Sequence, residues 1–131
     1  MHVALSYKKL NKLREEKYFQ AKKLGYKLES FVSSKSVVSN KASIGDNCFI
    51  LENQTIQPLV TIGNNVMLWS GNHIGHGTSI GDHTYLASHV VISGNCKIGK
   101  RCFFGVNSTL KDYLEIGAVS YTHLRAHETN S

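Results

Sequence analysis

An aliphatic or aromatic residue recurs at every sixth position over more than half of the chain. The series runs without a gap through fifteen positions: Val32, Val38, Ile44, Ile50, Ile56, Ile62, Leu68, Ile74, Ile80, Leu86, Ile92, Ile98, Phe104, Leu110 and Ile116. Neither the helical period nor the alternation of an ordinary strand predicts this spacing. A period of six is typical of a parallel β-helix built from hexapeptides, in which each hexad contributes one short strand and one corner.

The remaining hexad positions support a narrow prism. The fifth position is mostly small, so that one large and one small side chain point inward from each hexad. Three hexads make one coil of 18 residues, and each coil rises about 4.8 Å, the spacing of hydrogen-bonded strands. The pattern therefore predicts a mainly β fold of about five coils over residues 32–118.

The cysteines and the chain's apolar segments indicate the compartment. Cys48, Cys96 and Cys102 all occupy the small inward position, and Cys48 and Cys102 are 54 residues apart, or three coils. That separation is beyond disulfide reach, so we expect reduced core cysteines. The N-terminus lacks the apolar region of a signal peptide, and no apolar stretch approaches membrane-spanning length. We therefore predict a cytoplasmic protein without a membrane partner.

The net charge of +6 is unevenly distributed. Residues 1–29 hold eight basic and three acidic side chains, whereas residues 30–118 hold six basic and five acidic ones. A nucleic-acid site would need basic and aromatic residues interleaved on one face, and the hexads offer no such pattern. We therefore expect no nucleic-acid partner.

The N-terminal segment predicts a helix from Tyr7 to Leu24, with Ser6 as N-cap and Gly25 as C-cap. Its apolar stripe consists of Leu10, Leu13, Tyr18, Ala21 and Leu24. His2–Leu5 and Lys27–Val32 are predicted strands, which would give a βαβ unit. Because a lone parallel pair cannot bury both faces, residues 1–31 are predicted to be the remnant of a larger domain.

The hexads from Val32 to about Gly117 resemble the left-handed parallel β-helix of the hexapeptide-repeat acyltransferases, and the left-handedness comes from that resemblance alone. The chain is most similar to the sugar acetyltransferases of the sialic acid O-acetyltransferase type. These carry a Rossmann-like domain before the prism, which implies that residues 1–31 are its last part. The resemblance also implies a homotrimer with active sites between subunits.

The period stops after Ile116. Residues Val119–Thr129 equal one translated frame of a common transposase sequencing adapter, so residues 119–131 are interpreted as a non-native, poorly packed tail on a chain truncated at both ends. His123 and His127 are excluded from the functional residues on this ground. The alternative is a genuine polar tail.

The candidate chemistry lies in residues 70–94. His73 and His76 bracket the inward Ile74, so both are predicted to face outward among small residues. Gly94 follows His76 by 18 residues and is predicted to stack on the same corner, about 4.8 Å away along the axis. A histidine base beside a free glycine N–H is what acyl transfer from a thioester requires, since the imidazole accepts the nucleophile's proton and the N–H stabilises the oxyanion.

The string HIGHGTSIGD, residues 73–82, is similar to the histidine motif of the UDP-N-acetylglucosamine acyltransferases of lipid A synthesis. The resemblance implies that His76 is the base, that Gly94 supplies the oxyanion N–H, that His73 assists, and that acetyl-CoA donates the acyl group to a sugar or nucleotide sugar. The chain departs from the bacillosamine-type N-acetyltransferases at Gly77, where they have an acidic residue, and at Tyr85, where they have a second histidine. We treat Tyr85 as a candidate coenzyme contact.

Three matters stay open at the level of sequence. His83 and His89 are interpreted as surface corner residues. A γ-carbonic-anhydrase-like zinc enzyme would need two histidines five residues apart, whereas the spacings from His73 to His89 are 3, 7 and 6, so we predict no metal. A trimerising scaffold without activity is the remaining alternative.

Overall fold

The computed structural model describes residues 3–122, which form one helix and a prism of three parallel sheets. The helix α1 spans Val3–Lys23. Each strand is two residues long, and the strands are β1 Phe31–Val32, β2 Val37–Val38, β3 Ser43–Ile44, β4 Phe49–Ile50, β5 Thr55–Ile56, β6 Thr61–Ile62, β7 Met67–Leu68, β8 His73–Ile74, β9 Ser79–Ile80, β10 Tyr85–Leu86, β11 Val91–Ile92, β12 Lys97–Ile98, β13 Phe103–Phe104, β14 Thr109–Leu110, β15 Glu115–Ile116 and β16 Tyr121–Thr122. The predicted solenoid of five coils is confirmed by β1–β15.

Successive strands belong to successive faces of the prism. The first face contains β1, β4, β7, β10, β13 and β16, the second contains β2, β5, β8, β11 and β14, and the third contains β3, β6, β9, β12 and β15. Strands paired within a face are one coil apart, as Ile50 and Leu68 illustrate. Every ladder is parallel, so side chains 18 residues apart form columns along the prism.

The second residue of each strand from β2 to β15 points inward, where it forms the core or packs against it. Cys48, Cys96 and Cys102 are free and fully buried between these aliphatic columns, as predicted. Their burial raises the pKa of all three thiols, which favours the neutral, unreactive form.

The first residue of each strand points outward, and these columns give the three faces different surfaces. The third face is polar, with Ser43, Thr61, Ser79, Lys97 and Glu115. The first face is mostly aromatic, with Phe31, Phe49, Met67, Tyr85, Phe103 and Tyr121. Sequence analysis missed this difference, although reading the hexads in steps of 18 would have shown it.

The helix α1 lies along one edge of the prism, between the third and first faces. We call this edge the helix corner and define it by residues 45–48, 63–66, 81–84 and 99–102. Asn11 Nδ2 donates to Cys102 O at 3.2 Å, Arg14 donates to Asn65 O at 2.6 Å, and Tyr18 Oη donates to Asp46 at 2.6 Å. A helical turn rises about 5.4 Å and a coil about 4.8 Å, so side chains three or four residues apart along α1 meet successive coils.

The contact side of α1 is largely polar, and the predicted apolar stripe is covered only in part. Between residues 9 and 24, Asn11 and Tyr18 are buried and Leu10 and Ala21 are half-buried, whereas Leu13 is 50% exposed and Leu24 is 76% exposed. The reason is that the helix corner presents backbone carbonyls and polar side chains, which an aliphatic stripe cannot satisfy. Within residues 3–122, no helix combines the length and apolar character needed to cross a bilayer.

The predicted βαβ unit is wrong in its strands. Val3–Leu5 belong to α1, and so does Ser6, the predicted N-cap. Of the predicted strand Lys27–Val32, only Phe31–Val32 are extended, and they pair with β4 inside the prism. The Rossmann-like origin of residues 1–31 is not confirmed. The C-cap is confirmed, because Gly25 has a φ of +89° and the bonds Tyr26 N to Ala21 O and Gly25 N to Lys22 O close a Schellman motif.

The first face continues past residue 118, the predicted boundary of the β-helix. Phe103 N donates to Ser120 O and Gly105 N donates to Thr122 O, each at 2.8 Å, so that β16 extends the first face. Parallel pairing uses backbone groups that every residue has, and β-branched Thr122 can occupy the slot of an aliphatic residue. The rest of the predicted tail, residues 123–131, lies outside the described residues.

Candidate active site

His76 lies at the edge between the second and third faces. We call this edge the open corner and define it by residues 57–60, 75–78, 93–96 and 111–114. His76 follows β8 directly and is exposed, as predicted. Within residues 3–122 its imidazole makes no hydrogen bond or ion pair. The ring is therefore available to a ligand, and no described side chain orients it.

Gly94 stacks on His76 one coil further along the prism. The register pairs Ile74 with Ile92, and Asn95 N donates to His76 O at 2.8 Å. A Cβ built on Gly94 would lie 3.3 Å from His76 O, so Gly94 lies beside the backbone of His76. The predicted juxtaposition of His76 and Gly94 is thus present in the structure.

The backbone does not require a glycine at position 94. Gly94 has no positive φ, and an added Cβ would lie 3.3 Å from His76 O, a tight contact that needs a shift of a few tenths of an ångström. At Gly81, by contrast, an added Cβ would lie 2.6 Å from Gly99 C. Gly81 is therefore needed for close packing of the coils, whereas Gly94 mainly keeps the surface beside His76 open.

The Gly94 N–H is not free, which differs from the prediction. It donates to Asp112 Oδ1 at 2.8 Å, one further coil along the open corner. Sequence analysis missed Asp112, although the step of 18 that relates His76 to Gly94 also relates Gly94 to Asp112. The candidate oxyanion donor therefore already binds a carboxylate oxygen.

His73 is half-buried on the second face and lies three residues before His76. It is the outward residue of β8, where it pairs with Thr55 of β5 and Val91 of β11. These neighbours are short or branched and offer no charged group to the imidazole. The structure thus brings His73, His76 and Gly94 into one region, and the assisting role of His73 stays a prediction.

Tyr85 lies on a different face from His76. It is the outward residue of β10 on the first face, where its ring is 5.3 Å from that of Phe103 and 5.8 Å from the Arg14 guanidinium. Its hydroxyl accepts a hydrogen bond from Trp69 Nε1. The structure therefore does not group Tyr85 with His76 and Gly94 within one chain, and its contact with coenzyme stays a prediction.

The prediction that His83 is a surface residue is wrong, whereas His89 is exposed as predicted. Both have left-handed backbone, with φ of +64° and +59°, as corner residues. His83 lies beneath α1, where its ring contacts those of Tyr18 and Phe19 at 5.4 Å each. Its Nδ1 is 2.9 Å from Asn65 Nδ2, an amide donor, so Nδ1 accepts in the neutral ring.

Burial lowers the pKa of His83, which keeps the ring neutral against the opposing charges of Glu15 and Asp82. His83 therefore belongs to the helix contact rather than to the open corner. Among residues 3–122, no three histidine, cysteine or acidic side chains lie close enough to hold a metal ion.

Comparisons with known proteins agree with the repeat architecture. Residues 59–94 match the family described as Bacterial transferase hexapeptide (six repeats), and residues 96–118 match Hexapeptide repeat of succinyl-transferase. The first match contains His76 and Gly94, and the second contains Asp112. No curated protein sequence matches the chain significantly. The chain thus contains hexapeptide repeats, as its period of six predicts.

Solved structures show the same fold. The acetyltransferase domain of PglB from Neisseria gonorrhoeae superposes with a TM-score of 0.68 at 19% identity, over 88% of this chain and 59% of that one. The same domain in complex with acetyl coenzyme A gives 0.67 at 16%, over 87% and 64%. PerB from Caulobacter crescentus, in complex with CoA and GDP-perosamine, gives 0.64 at 18%, over 82% and 60%. The chain therefore spans about three fifths of the length of these structures.

Proposed function

We propose that this chain is part of an enzyme that transfers an acetyl group from acetyl-CoA to an amino or hydroxyl group of a sugar or nucleotide sugar. The observation that supports it is that an exposed histidine, His76, stacks on Gly94 of the next coil, whose backbone has no positive φ. Solved structures of the same fold include complexes with acetyl coenzyme A, CoA and GDP-perosamine, which supports this donor and acceptor class.

The reaction uses His76 as general base. Its imidazole takes the proton of the acceptor amine or hydroxyl while that group attacks the thioester carbonyl carbon. The carbonyl electron pair moves to oxygen, where the Gly94 N–H stabilises the charge. The intermediate then collapses, the carbon–sulfur bond breaks, and the CoA thiolate leaves with the proton that His76 had accepted.

A homotrimer completes this proposal. His76 is exposed and lacks an orienting partner within residues 3–122, and a single convex corner offers no wall for a pantetheine arm. A neighbouring subunit packed near the open corner would supply an orienting group for His76 and a wall for the pantetheine arm. It would also bring one of its own faces toward the site, such as the first face with Tyr85. We further infer that the enzyme acts in the cytoplasm, where acetyl-CoA is available and the three thiols stay reduced.

The test is acetyl transfer from radiolabelled acetyl-CoA to a panel of nucleotide-linked amino and hydroxy sugars. The proposal expects label on one acceptor, and loss of that transfer when His76 is replaced. Sedimentation should show a trimer, because the site is incomplete in one subunit. A stable monomer with full activity would exclude the shared site. A trimer that binds no acetyl-CoA would favour the scaffold alternative, and activity that depends on added zinc would favour the metal alternative.

A further inference from the structure

Asp112 lies at the open corner and has no role in the proposed mechanism. Its Oδ1 accepts the Gly94 N–H at 2.8 Å, which is the hydrogen bond that an oxyanion at this place would make. An ionised carboxylate accepts strongly from a backbone N–H, so it competes with the neutral carbonyl oxygen of a thioester. The Asp112 carboxylate and the carbonyl oxygen of the acyl group therefore compete for the same donor, the Gly94 N–H.

The same kind of hydrogen bond occurs at the helix corner, where we propose no chemistry. We call it a cap: a side-chain oxygen accepts the backbone N–H of a residue on the preceding coil. At the helix corner, Asp46 N donates to Asn64 Oδ1 at 2.9 Å, and Asn64 N donates to Asp82 Oδ1 at 2.8 Å. In each case the acceptor belongs to the residue 18 positions later. Asp112 is thus a structural cap of the prism whose donor happens to be Gly94.

Asp112 differs from those caps in its freedom to move. Its side chain is exposed, whereas Asn64 and Asp82 are half-buried. Moreover, Gly94 has no side chain that could accept the backbone N–H of His76 on the preceding coil. The surface between Gly94 and His76 therefore carries no such cap. A rotation about the side-chain bonds of Asp112 would release the Gly94 N–H without moving backbone.

We propose that Asp112 closes the oxyanion donor in the resting protein and must swing away before acyl transfer. This inference rests on the proposed function, and it makes Asp112 a positioning residue that lowers activity. Its negative charge beside Gly94 also opposes the charge that develops on the carbonyl oxygen. The state in which Asp112 has released the Gly94 N–H is then only partly populated, and the apparent affinity for acetyl-CoA is lowered by that fraction.

Replacing Asp112 by Ala tests the proposal. The Asp112→Ala variant should raise kcat/KM for acetyl-CoA by about three- to tenfold, because the Gly94 N–H is released and the opposing charge is removed. Asp112→Asn retains an accepting oxygen and should raise kcat/KM less. The matched control is Asp82→Ala, which removes a cap of the same geometry at the helix corner and should leave kcat/KM within about twofold.

An unchanged or lower kcat/KM in Asp112→Ala would overturn the inference, as would a larger rise in Asp112→Asn than in Asp112→Ala. If Asp112→Ala fails in this way but His76→Ala is inactive in the same assay, the proposed function still stands. A fully active His76→Ala would contradict both the proposed function and the inference about Asp112.

A readout without turnover is the amide resonance of Gly94 during an acetyl-CoA titration. Its shift should reach half-completion at a lower acetyl-CoA concentration in Asp112→Ala than in the wild type. Equal midpoints, or an amide resonance that does not respond in either protein, would overturn the inference.

Discussion

The helix corner and the open corner are built from the same hexads, yet they present histidines in opposite states. At the helix corner, His83 is buried by α1, accepts a hydrogen bond from Asn65 and is kept neutral. At the open corner, His76 is exposed beside a glycine. The repeat determines where each side chain points, but the element that covers the corner determines its chemistry.

The two corners also differ in their caps. At the helix corner, polar side chains of α1 and of the next coil satisfy the backbone groups. At the open corner, the cap from Asp112 reaches Gly94, and Gly94 has no side chain with which to cap His76. A corner completed by its own chain is suited to stability, whereas an incomplete corner is suited to binding. The following predictions test this contrast.

Replacing His76 by Ala should have the largest effect. Because general base catalysis contributes roughly a hundredfold or more, kcat should fall by at least that factor, while the affinity for acetyl-CoA changes little. Steady-state kinetics and acetyl-CoA binding measure the two effects.

The matched control is His89→Ala, which removes an exposed corner histidine from an edge outside both named corners and should retain activity within about twofold. A loss of less than about fivefold in His76→Ala at neutral pH would mean that another group takes the proton, and His73 would be the next residue to replace.

Replacing Arg14 by Ala should weaken the helix corner alone. The guanidinium donates to Asn65 O at 2.6 Å and to Asn11 Oδ1 at 3.0 Å, so its removal leaves buried acceptors without donors. We expect a loss of about 2–3 kcal/mol in the free energy of unfolding. Urea denaturation measures it.

Lys12→Ala is the control, because Lys12 is exposed on α1 and has a similar helix propensity; it should change stability by less than about 0.5 kcal/mol. The activity of folded Arg14→Ala should equal that of the wild type. An activity loss as large as that of His76→Ala would show that the two corners are coupled.

The strands of the prism could be predicted because their signal is local and repeated: each hexad from Val38 to Ile116 places its aliphatic or aromatic residue inward. The helix contact could not be predicted in the same way. Asn11 and Arg14 donate to the backbone carbonyls of Cys102 and Asn65. Every residue has a backbone carbonyl, so the residue types in the sequence do not reveal these contacts. The hydrophobic pattern therefore favours an apolar stripe, of which the structure buries Tyr18, and it does not reveal the polar contacts.

Replacing Gly94 and Gly81 by Ala should produce opposite phenotypes. Gly94→Ala places a Cβ beside His76 and should lower kcat/KM by about tenfold, with a smaller loss of stability than Gly81→Ala, since the added Cβ meets its nearest atom, His76 O, at 3.3 Å. Gly81→Ala places a Cβ 2.6 Å from Gly99 C and should cost about 1–3 kcal/mol, with activity retained in the folded protein. Kinetics and thermal denaturation of both variants measure the contrast. Equal activity losses would contradict it.

The stacking of His76 and Gly94 could be predicted because a coil is a fixed 18 residues. The bond from Gly94 to Asp112 needed the same step taken once more, together with knowledge of the direction in which the N–H points. The burial of His83 required the position of α1, which periodicity does not contain. Sequence thus identifies partners within the repeat and fails where a non-repeating element covers it.

The smallest expected effect is a dependence of stability on pH that arises at the helix corner. Burial lowers the pKa of His83 from 6.5, so below pH 6.5 the unfolded chain binds more protons at this residue than the folded protein does. The free energy of unfolding should therefore rise with pH between the pKa of His83 in the folded protein and 6.5. It should fall again as pH drops from 6.5 toward that lower pKa. Glu15 and Asp82 oppose this shift, whereas Arg14 and Arg101 add to it.

The variant His83→Asn should remove this slope. Asparagine tolerates the left-handed backbone of the corner, as Asn47 and Asn65 show with φ of +53° and +59°. His89→Asn is the control, because it makes the same substitution at an exposed corner with φ of +59°. Urea denaturation between pH 5 and 8 should show a smaller dependence in His83→Asn than in the wild type or His89→Asn. If His83→Asn kept the full wild-type slope, the titrating group would lie elsewhere, and the contrast between a closed and an open histidine corner would lose its electrostatic basis.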